Sequence, residues 1–201
     1  MERVIIGNGG VARELLGQMP NKNLRRFVTS DAERHPENGV LHLDEFNPAT
    51  MEAIVAVGDP LARQHLVSLL PKNTKFFSFV HSSAQIFDPE INVPPGSIIS
   101  ANCILTTNIS LGLHTYLNRG AMIGHDTTCG DFLSLMPGAV VSGRCKLGSR
   151  VNLGNNASVR EQTSICSDVI IGMQAAVTRN ICEPGVYVGV PAGLMKHSDS
   201  T

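Results

Sequence analysis

The side chains best suited to chemistry in this sequence are the neighbours His125 and Asp126, which follow Gly124. A neutral imidazole can take a proton from an amine or a hydroxyl as that group attacks an acyl carbon. A carboxylate beside the imidazole can fix its tautomer and raise its basicity. Neighbours in an extended chain point to opposite faces, so an exposed pair without a catalytic role is the alternative. His114 is a second candidate base, without an acidic neighbour.

A glycine-rich loop near the start of the chain is a second candidate site. Gly7, Gly9 and Ala12 match a loose dinucleotide-binding pattern, and Asp31 follows at a suitable distance. Glycines let a backbone approach a pyrophosphate, and the start of the following helix favours an anion. About eighty residues supply only half of a dinucleotide fold, so a nucleotide diphosphate or nucleotide sugar fits better than NAD. A tight strand–helix turn without a ligand is the alternative.

A six-residue repeat surrounds His125 and must position it. A hydrophobic residue recurs at one phase, at Phe87, Val93, Ile99, Leu105, Leu111, Leu117, Ile123, Cys129, Leu135, Val141, Leu147, Leu153, Val159, Ile165, Ile171 and Val177. This period predicts a parallel β-helix in which three hexapeptides form one triangular coil of eighteen residues. The large residue should point inward, and the small residue four positions later should face inward near a corner. We expect the glycine that often follows the large residue to help the backbone turn.

The first eighty residues have a different pattern, in which short apolar strands alternate with helices. The predicted strands are Arg3–Ile6, Arg26–Val28, Ala53–Val57 and Phe76–Val80, and the predicted helices cover 11–19 and 61–70. Alternation of this kind indicates a small parallel sheet. We therefore predict two domains, with residues 1–80 as an α/β nucleotide-binding domain and residues 81–201 as the β-helix with a C-terminal tail.

Composition narrows the function classes. The net charge of the 201-residue chain is −1, with 16 basic and 17 acidic residues, so neither nucleic acid nor an anionic membrane is an expected partner. No eighteen-residue apolar run and no signal peptide is evident, which predicts a cytoplasmic protein. The five cysteines lack C-x-x-C spacing and the seven histidines lack ligand spacing, so no metal is expected.

Several segments together resemble the sugar O-/N-acyltransferases of hexapeptide-repeat type, which include sialic-acid O-acetyltransferases and nucleotide-aminosugar N-acetyltransferases. The segments are Ile6–Gly10, Val57–Arg63, Gly124–Asp126, Gly130–Phe132, Pro137–Ala139, Ser142–Gly143 and Gly185–Ala192. The resemblance implies a Rossmann-like N-terminal domain followed by an all-β left-handed parallel β-helix. It also implies a homotrimer with active sites between adjacent prisms.

The resemblance further implies direct transfer of an acetyl group from acetyl-CoA to a nucleotide-linked amino sugar, as in bacterial glycan biosynthesis. His125 would be the general base and Asp126 its partner. The other implied contacts are Ser134, Gly143 and Asn155 for the cofactor, and Gly9, Gly10, Asp31 and Gly58 for the nucleotide sugar.

Two positions depart from the family pattern, because Val11 and Ser134 stand where relatives often have histidine. Two other functions stay open from the sequence. One is acetylation of a sugar hydroxyl, as on sialic acid. The other is a non-catalytic protein that binds a nucleotide or NAD.

Overall fold

A five-stranded parallel sheet forms the first part of the chain. The computed structural model describes residues 1–20, 24–29, 31–33 and 35–195. The first strands and helices are β1 (Glu2–Ile6), α1 (Gly10–Gln18), β2 (Arg26–Val28), β3 (Val40–His42), β4 (Met51–Val55), α2 (Pro60–Leu69) and β5 (Lys75–Phe76). Short 3₁₀ helices cover Asp31–Glu33, Pro36–Asn38 and Leu43–Glu45. The strand order is β3-β2-β1-β4-β5, with β1 central.

This sheet differs from the predicted one in two places. β3 is an additional strand, only three residues long and set between two 3₁₀ helices, so it has no periodicity to detect. The predicted strand Phe76–Val80 is wrong, because the chain changes sheets within it. Phe76 pairs with β4, whereas Phe79 pairs with Ile98 of the β-helix.

The remaining strands stack into a three-sided prism. The strands are β6 (Phe79–Val80), β7 (Gln85–Ile86), β8 (Ile98–Ile99), β9 (Ile104–Leu105), β10 (Tyr116–Leu117), β11 (Met122–Ile123), β12 (Thr128–Cys129), β13 (Ser134–Leu135), β14 (Val140–Val141), β15 (Lys146–Leu147), β16 (Asn152–Leu153), β17 (Ser158–Val159), β18 (Ser164–Ile165), β19 (Val169–Ile171), β20 (Ala176–Val177), β21 (Gly185–Val188) and β22 (Gly193–Leu194). The first face contains β6, β8, β10, β13, β16, β19, β21 and β22; the second contains β7, β9, β11, β14, β17 and β20; the third contains β12, β15 and β18. Pairs such as Met122 with Val140 are parallel and eighteen residues apart, which confirms three hexapeptides per coil.

The inward positions are as predicted, with one exception. The eleven small residues are all at most 2% exposed: Cys103, Thr115, Ala121, Thr127, Ala139, Cys145, Val151, Ala157, Thr163, Val169 and Ala175. The eight of them that are not threonine join the large aliphatics in one core, and each buried aliphatic contributes about 1.5–3 kcal/mol of transfer free energy. Phe87 is the exception, because it is 58% exposed and Ile86 packs against the core in its place.

The prism turns at residues in the left-handed backbone region. They recur every six positions: Asn102, Asn108, His114, Asp126, Phe132, Arg144, Arg150, Asn156, Gln162, Asp168 and Gln174, with Gly96, Gly120 and Gly138 completing the series. The glycines that follow the aliphatics have another role than the predicted one. A Cβ on Gly148 would lie 2.4 Å from the amide nitrogen of Ser167 in the next coil, so this glycine permits close stacking of coils.

The N-terminal sheet packs on the first face of the prism. Ile98 and Tyr116 of that face are buried with Ile5, Leu15 and Ile54 in one apolar cluster. The outward side chains of Ile98, Tyr116 and Ser134 therefore lie inside the molecule, whereas Ile170 farther along this face is 42% exposed. Within the described ranges, no helix is both long and apolar enough to cross a lipid bilayer.

Candidate functional site

His125 and Asp126 form a hydrogen-bonded pair on the outside of the prism. Asp126 adopts φ 59° at the corner between the second and third faces, so the chain turns between the two residues instead of extending. His125 Nδ1 lies 2.7 Å from Asp126 Oδ2, and each side chain is about half exposed, at 50% and 47%. The left-handed turn thus brings together two side chains that an extended strand would separate.

A third side chain, not foreseen from the sequence, holds the carboxylate. Asn108 Nδ2 donates to Asp126 Oδ1 at 2.7 Å. Asn108 occupies the same corner one coil earlier, and its backbone N–H donates to Asp88 Oδ2 at 2.8 Å. The hydrogen bonds from His125 and Asn108 lower the pKa of Asp126. The aspartate is therefore a carboxylate at neutral pH, so His125 Nδ1–H donates to it and leaves the Nε2 lone pair free. The eighteen-residue spacing between Asn108 and Asp126 was a signal that could have identified this contact.

Gly143 lies beside the free nitrogen of His125. It occupies the equivalent corner one coil later, and a Cβ there would be only 2.6 Å from His125 Nε2. The absence of a side chain at Gly143 leaves the imidazole room across the corner. His125, Asp126 and Gly143, three of the predicted site residues, are therefore adjacent in the structure.

The corner that carries His125 continues along the prism as a column, which we call the His125 edge. Its members at successive coils are His125, Gly143, Glu161 and Arg179, between the second and third faces. Because neighbouring strands are about 4.8 Å apart, Arg179 lies about 14 Å along the prism from His125. Exposed Arg160 adds a second guanidinium near this end.

The second candidate site is a cleft at the carboxyl ends of β1, β2 and β4. It has a volume of about 320 Å³ and is lined by Gly7, Asn8, Gly9, Gly10, Val11, Phe27, Val28, Thr29, Glu33, Ala56, Val57, Gly58 and Leu66. A Cβ on Gly9 or Gly10 would meet no atom within 4 Å, so these glycines border open space. Gly7 has φ +112°, which requires glycine.

The start of α1 opens towards this cleft. Gly9 is the N-cap of α1 and offers no side chain to the free amides of the first turn. Two arginines fix the loop before it, because Arg26 Nη1 donates to Asn8 Oδ1 at 2.9 Å and Arg13 Nη1 donates to Asn8 O at 3.1 Å. A fixed loop with unpaired helix amides suits a phosphate group.

The other predicted site residues lie apart from His125. Ser134 is fully buried under the N-terminal domain, where its hydroxyl donates to Gly58 O at 2.7 Å. Asn155 is exposed at the corner between the first and second faces, and so is on a different edge from His125. Asp31 begins a 3₁₀ helix, but its side chain lies outside the described part of the structure. Glu33, two residues later, lines the cleft and was missed from the sequence.

The rival base His114 is not at the surface, which overturns that alternative. It is 5% exposed, stacks on Phe132 with ring centres 5.0 Å apart, and meets the edge of Phe76 at 4.7 Å. Burial, with a smaller effect from the Arg63 cation, lowers the pKa of His114 to about 4. His114 packs the junction between the sheet and the prism.

Two of the buried cysteines, Cys103 and Cys129, are poor nucleophiles. Cys103 and Cys129 are buried in the prism core, where burial raises the thiol pKa values to about 11 and about 12. Their environment favours the thiol over the reactive thiolate. Across the described residues, no three His, Cys, Asp or Glu side chains are grouped as metal ligands would be.

The fold is shared with solved structures that include a perosamine N-acetyltransferase from Caulobacter crescentus. PerB from Caulobacter crescentus, solved in complex with CoA and GDP-perosamine, aligns with a TM-score of 0.86 and 24% identity over 98% of each chain. WeeI from Acinetobacter baumannii AYE aligns with a TM-score of 0.86 and 24% identity over 96% of this chain and 99% of its own. The acetyltransferase domain of PglB from Neisseria gonorrhoeae FA1090 aligns with a TM-score of 0.84 and 23% identity over 96% and 99%. No protein-family model matches the chain.

Proposed function

We propose that this protein is an acetyl-CoA-dependent N-acetyltransferase that acts on the amino group of a nucleotide-linked amino sugar. The observation that carries the proposal is the His125–Asp126 pair, 2.7 Å apart, which leaves His125 Nε2 free beside Gly143. The structural likeness over nearly the whole chain to a solved perosamine N-acetyltransferase supports it, as does the glycine-lined cleft.

The reaction needs one proton acceptor and no covalent enzyme intermediate. The neutral amine of the sugar attacks the thioester carbonyl carbon, and His125 Nε2 takes the proton that the amine loses. The C–S bond then breaks, CoA leaves as a thiol once it gains a proton, and the product is an amide. Asp126 stabilises the imidazolium that forms on His125.

The His125 edge is the proposed path of acetyl-CoA. With the thioester at His125, the pantetheine arm would run past Gly143 towards Arg160 and Arg179, whose charges suit the cofactor phosphates. Glu161 lies on the same edge, and its carboxylate would repel the phosphates. The phosphates would therefore be confined to the end of the edge that carries the arginines. Asn155 is on another edge and would contact this cofactor only from a neighbouring subunit.

The cleft beside α1 is the proposed nucleotide site. We infer that the N-terminal domain is Rossmann-like, because its parallel sheet has the order β3-β2-β1-β4-β5 with a glycine loop between β1 and α1. Gly9 and Gly10 would approach the diphosphate, and Gly58 would border the nucleoside. The Glu33 carboxylate would accept hydrogen bonds from the ribose or the base, in a role that the sequence suggested for Asp31.

Assembly would complete the active site. The nucleotide cleft belongs to the domain packed on the first face, whereas the His125 edge is opposite that face. One chain therefore cannot bring the two together across its own prism. We propose a homotrimer of left-handed prisms in which the cleft of one subunit faces His125 of the next.

The outward residues Ile104, Met122 and Val140 make the second face apolar, whereas Thr128, Lys146 and Ser164 make the third face polar. The second face is therefore the proposed contact between prisms.

Acetyl-CoA-dependent release of free thiol against a panel of nucleotide-linked amino sugars tests the function, with sialic acid as a hydroxyl acceptor. We expect turnover of one amino sugar in this assay. We propose that the reaction takes place in the cytoplasm. Turnover of sialic acid alone would replace the amine acceptor with a hydroxyl. Failure to bind acetyl-CoA would reject the enzyme.

His125→Ala tests the proposed base. Loss of the proton acceptor should lower kcat by about 10²–10⁴-fold, while acetyl-CoA binding measured by calorimetry should be retained. His65→Ala, at an exposed position of α2, is the matched control and should keep full turnover. Near-normal kcat for His125→Ala would remove His125 from this role.

A further inference from the structure

Among the residues that the structure describes, Arg63 is the largest fully buried side chain, at 1% exposure. It projects from α2 into the junction between the N-terminal domain and the prism. Among the described residues no carboxylate pairs with it there, since its hydrogen-bond partners are carbonyl and hydroxyl oxygens. Burial lowers its pKa to about 10, so it is a cation at neutral pH. A buried charge held by so many neutral acceptors indicates a geometric role.

The guanidinium joins three separate segments of the chain. Towards the N-terminal domain, Nη1 donates to Val57 O at 2.7 Å and to Gly58 O at 3.0 Å. Towards the prism, Nε donates to His114 O at 3.0 Å. Nη2 donates to Phe132 O at 2.9 Å, to Leu133 O at 3.0 Å and to Ser134 Oγ at 3.0 Å.

Ser134 closes the connection between the two domains. Its hydroxyl accepts from Arg63 and donates to Gly58 O at 2.7 Å, so Gly58 O is held by both side chains. Val57 and Gly58 are part of the cleft wall. Gly58 is also wedged between domains, because a Cβ on it would lie 3.4 Å from Met136 and 3.5 Å from Tyr116.

We infer that Arg63 is a positioning residue that holds the Val57–Gly58 wall of the cleft in register with the prism. The inference rests on the proposed function for the meaning of the cleft, and adds that nucleotide affinity depends on a side chain that does not line it. Lysine cannot replace this arginine, because its single ammonium group cannot span three segments as the planar fork does. Buried Ser134 would then serve the nucleotide wall and not the thioester.

The test compares Arg63→Lys with Arg3→Lys, an exposed arginine of the same domain, and with Ser134→Ala. Amide hydrogen exchange of residues 56–59 measures the mobility of the wall directly, without any ligand. Calorimetry then gives Kd values for GDP, UDP, dTDP and acetyl-CoA. We expect faster exchange in Arg63→Lys, at least tenfold weaker nucleotide binding and unchanged acetyl-CoA binding. Ser134→Ala should show the same pattern with a change of about threefold.

The outcomes separate this inference from the proposed function. Unchanged exchange of residues 56–59 in Arg63→Lys would overturn the positioning role, whether or not nucleotides bind. Weaker acetyl-CoA binding by Ser134→Ala, with nucleotide affinity intact, would also overturn it and favour a cofactor contact. If the wild type bound no nucleotide while Arg63→Lys increased the exchange rate of the wall, the positioning role of Arg63 would stand and the proposed nucleotide site would fail.

Discussion

At the scale of single residues, the proposed catalytic pair depends on backbone conformation as much as on side-chain type. Asp126 reaches His125 because it occupies a left-handed corner, where aspartate and asparagine are tolerated better than most residues. The same conformation at Asn108 directs an amide onto the carboxylate from the coil before. A corner of this prism therefore supplies three aligned polar groups from only two coils.

Asn108→Ala tests this alignment. Removing the hydrogen bond to Asp126 Oδ1 should lower kcat about fivefold, corresponding to about 1 kcal/mol, because the carboxylate then holds His125 less firmly. KM for both substrates should stay unchanged. Asn102→Ala is the matched control, since Asn102 has the same left-handed conformation on another edge. Equal loss of kcat in both variants would show that backbone strain, and not the contact with Asp126, is responsible.

At the scale of elements, α2, β5 and the prism meet in a packed junction that contains the imidazole of His114. His114 lies between Phe76 and Phe132, with Arg63 bound to its carbonyl oxygen. Its Nδ1 is buried without a hydrogen-bond partner. The neighbouring charges are the Arg63 cation, which lowers its pKa, and the Asp131 carboxylate, which raises it. Protonation would place a second cation in this junction.

Stability should therefore depend on pH through His114. The folded-state pKa of about 4 is below the ordinary value of 6.5, so the unfolded chain binds the proton more tightly. The contribution of neutral His114 to the free energy of unfolding is complete above pH 6.5 and is lost as pH falls towards 4, by on the order of 3 kcal/mol.

His114→Phe should flatten the dependence of Tm on pH in this window. Phe132 occupies the same corner one coil later, so the backbone accepts phenylalanine. A curve for His114→Phe parallel to wild type, or to the exposed-site control His65→Phe, would contradict the assignment.

The elements also show what the sequence could predict. The hexapeptide phase predicted the inward residues from Val93 onwards, because each coil repeats one environment. It failed at Phe87, where the first coil is one residue longer and Ile86 pairs with Leu105. The exchange of sheets between Phe76 and Phe79 was invisible, since both halves of that segment are apolar. His125 and Asp126 could be proposed from their types, whereas Asn108 and Arg63 act through contacts 18 and up to 71 residues away.

At the scale of the whole molecule, the two candidate sites are on opposite sides of one chain. In the proposed trimer, contact between the cleft of one copy and the His125 edge of another would resolve this separation. Such a contact is heterologous, and a ring of three subunits would close it. A subunit that has lost either the cleft or the His125 edge should therefore regain activity beside a subunit that retains the lost site.

Mixed oligomers of two inactive variants test this arrangement. His125→Ala keeps the cleft, whereas Gly10→Glu places a carboxylate where the diphosphate should bind and keeps His125. Random mixing should restore about a quarter of wild-type turnover, because that share of interfaces combines an intact cleft with an intact base. Each variant alone should be inactive. Mixed oligomers that form and stay inactive would show that each site belongs to a single chain.

The eighteen-residue coil has a consequence for how this molecule can change length. From Ile98 to Val177 every pair of stacked strands is eighteen residues apart, so lengthening this part of the prism in register means adding whole rungs of about 4.8 Å. The distance from His125 to the arginines near the far end is therefore a whole number of coil spacings. A duplicated coil between Gly143 and Arg179 would lengthen that distance by one coil spacing and leave the proton acceptor unchanged. The prism thus fixes, in discrete steps, how long a thioester carrier the proposed path can accept.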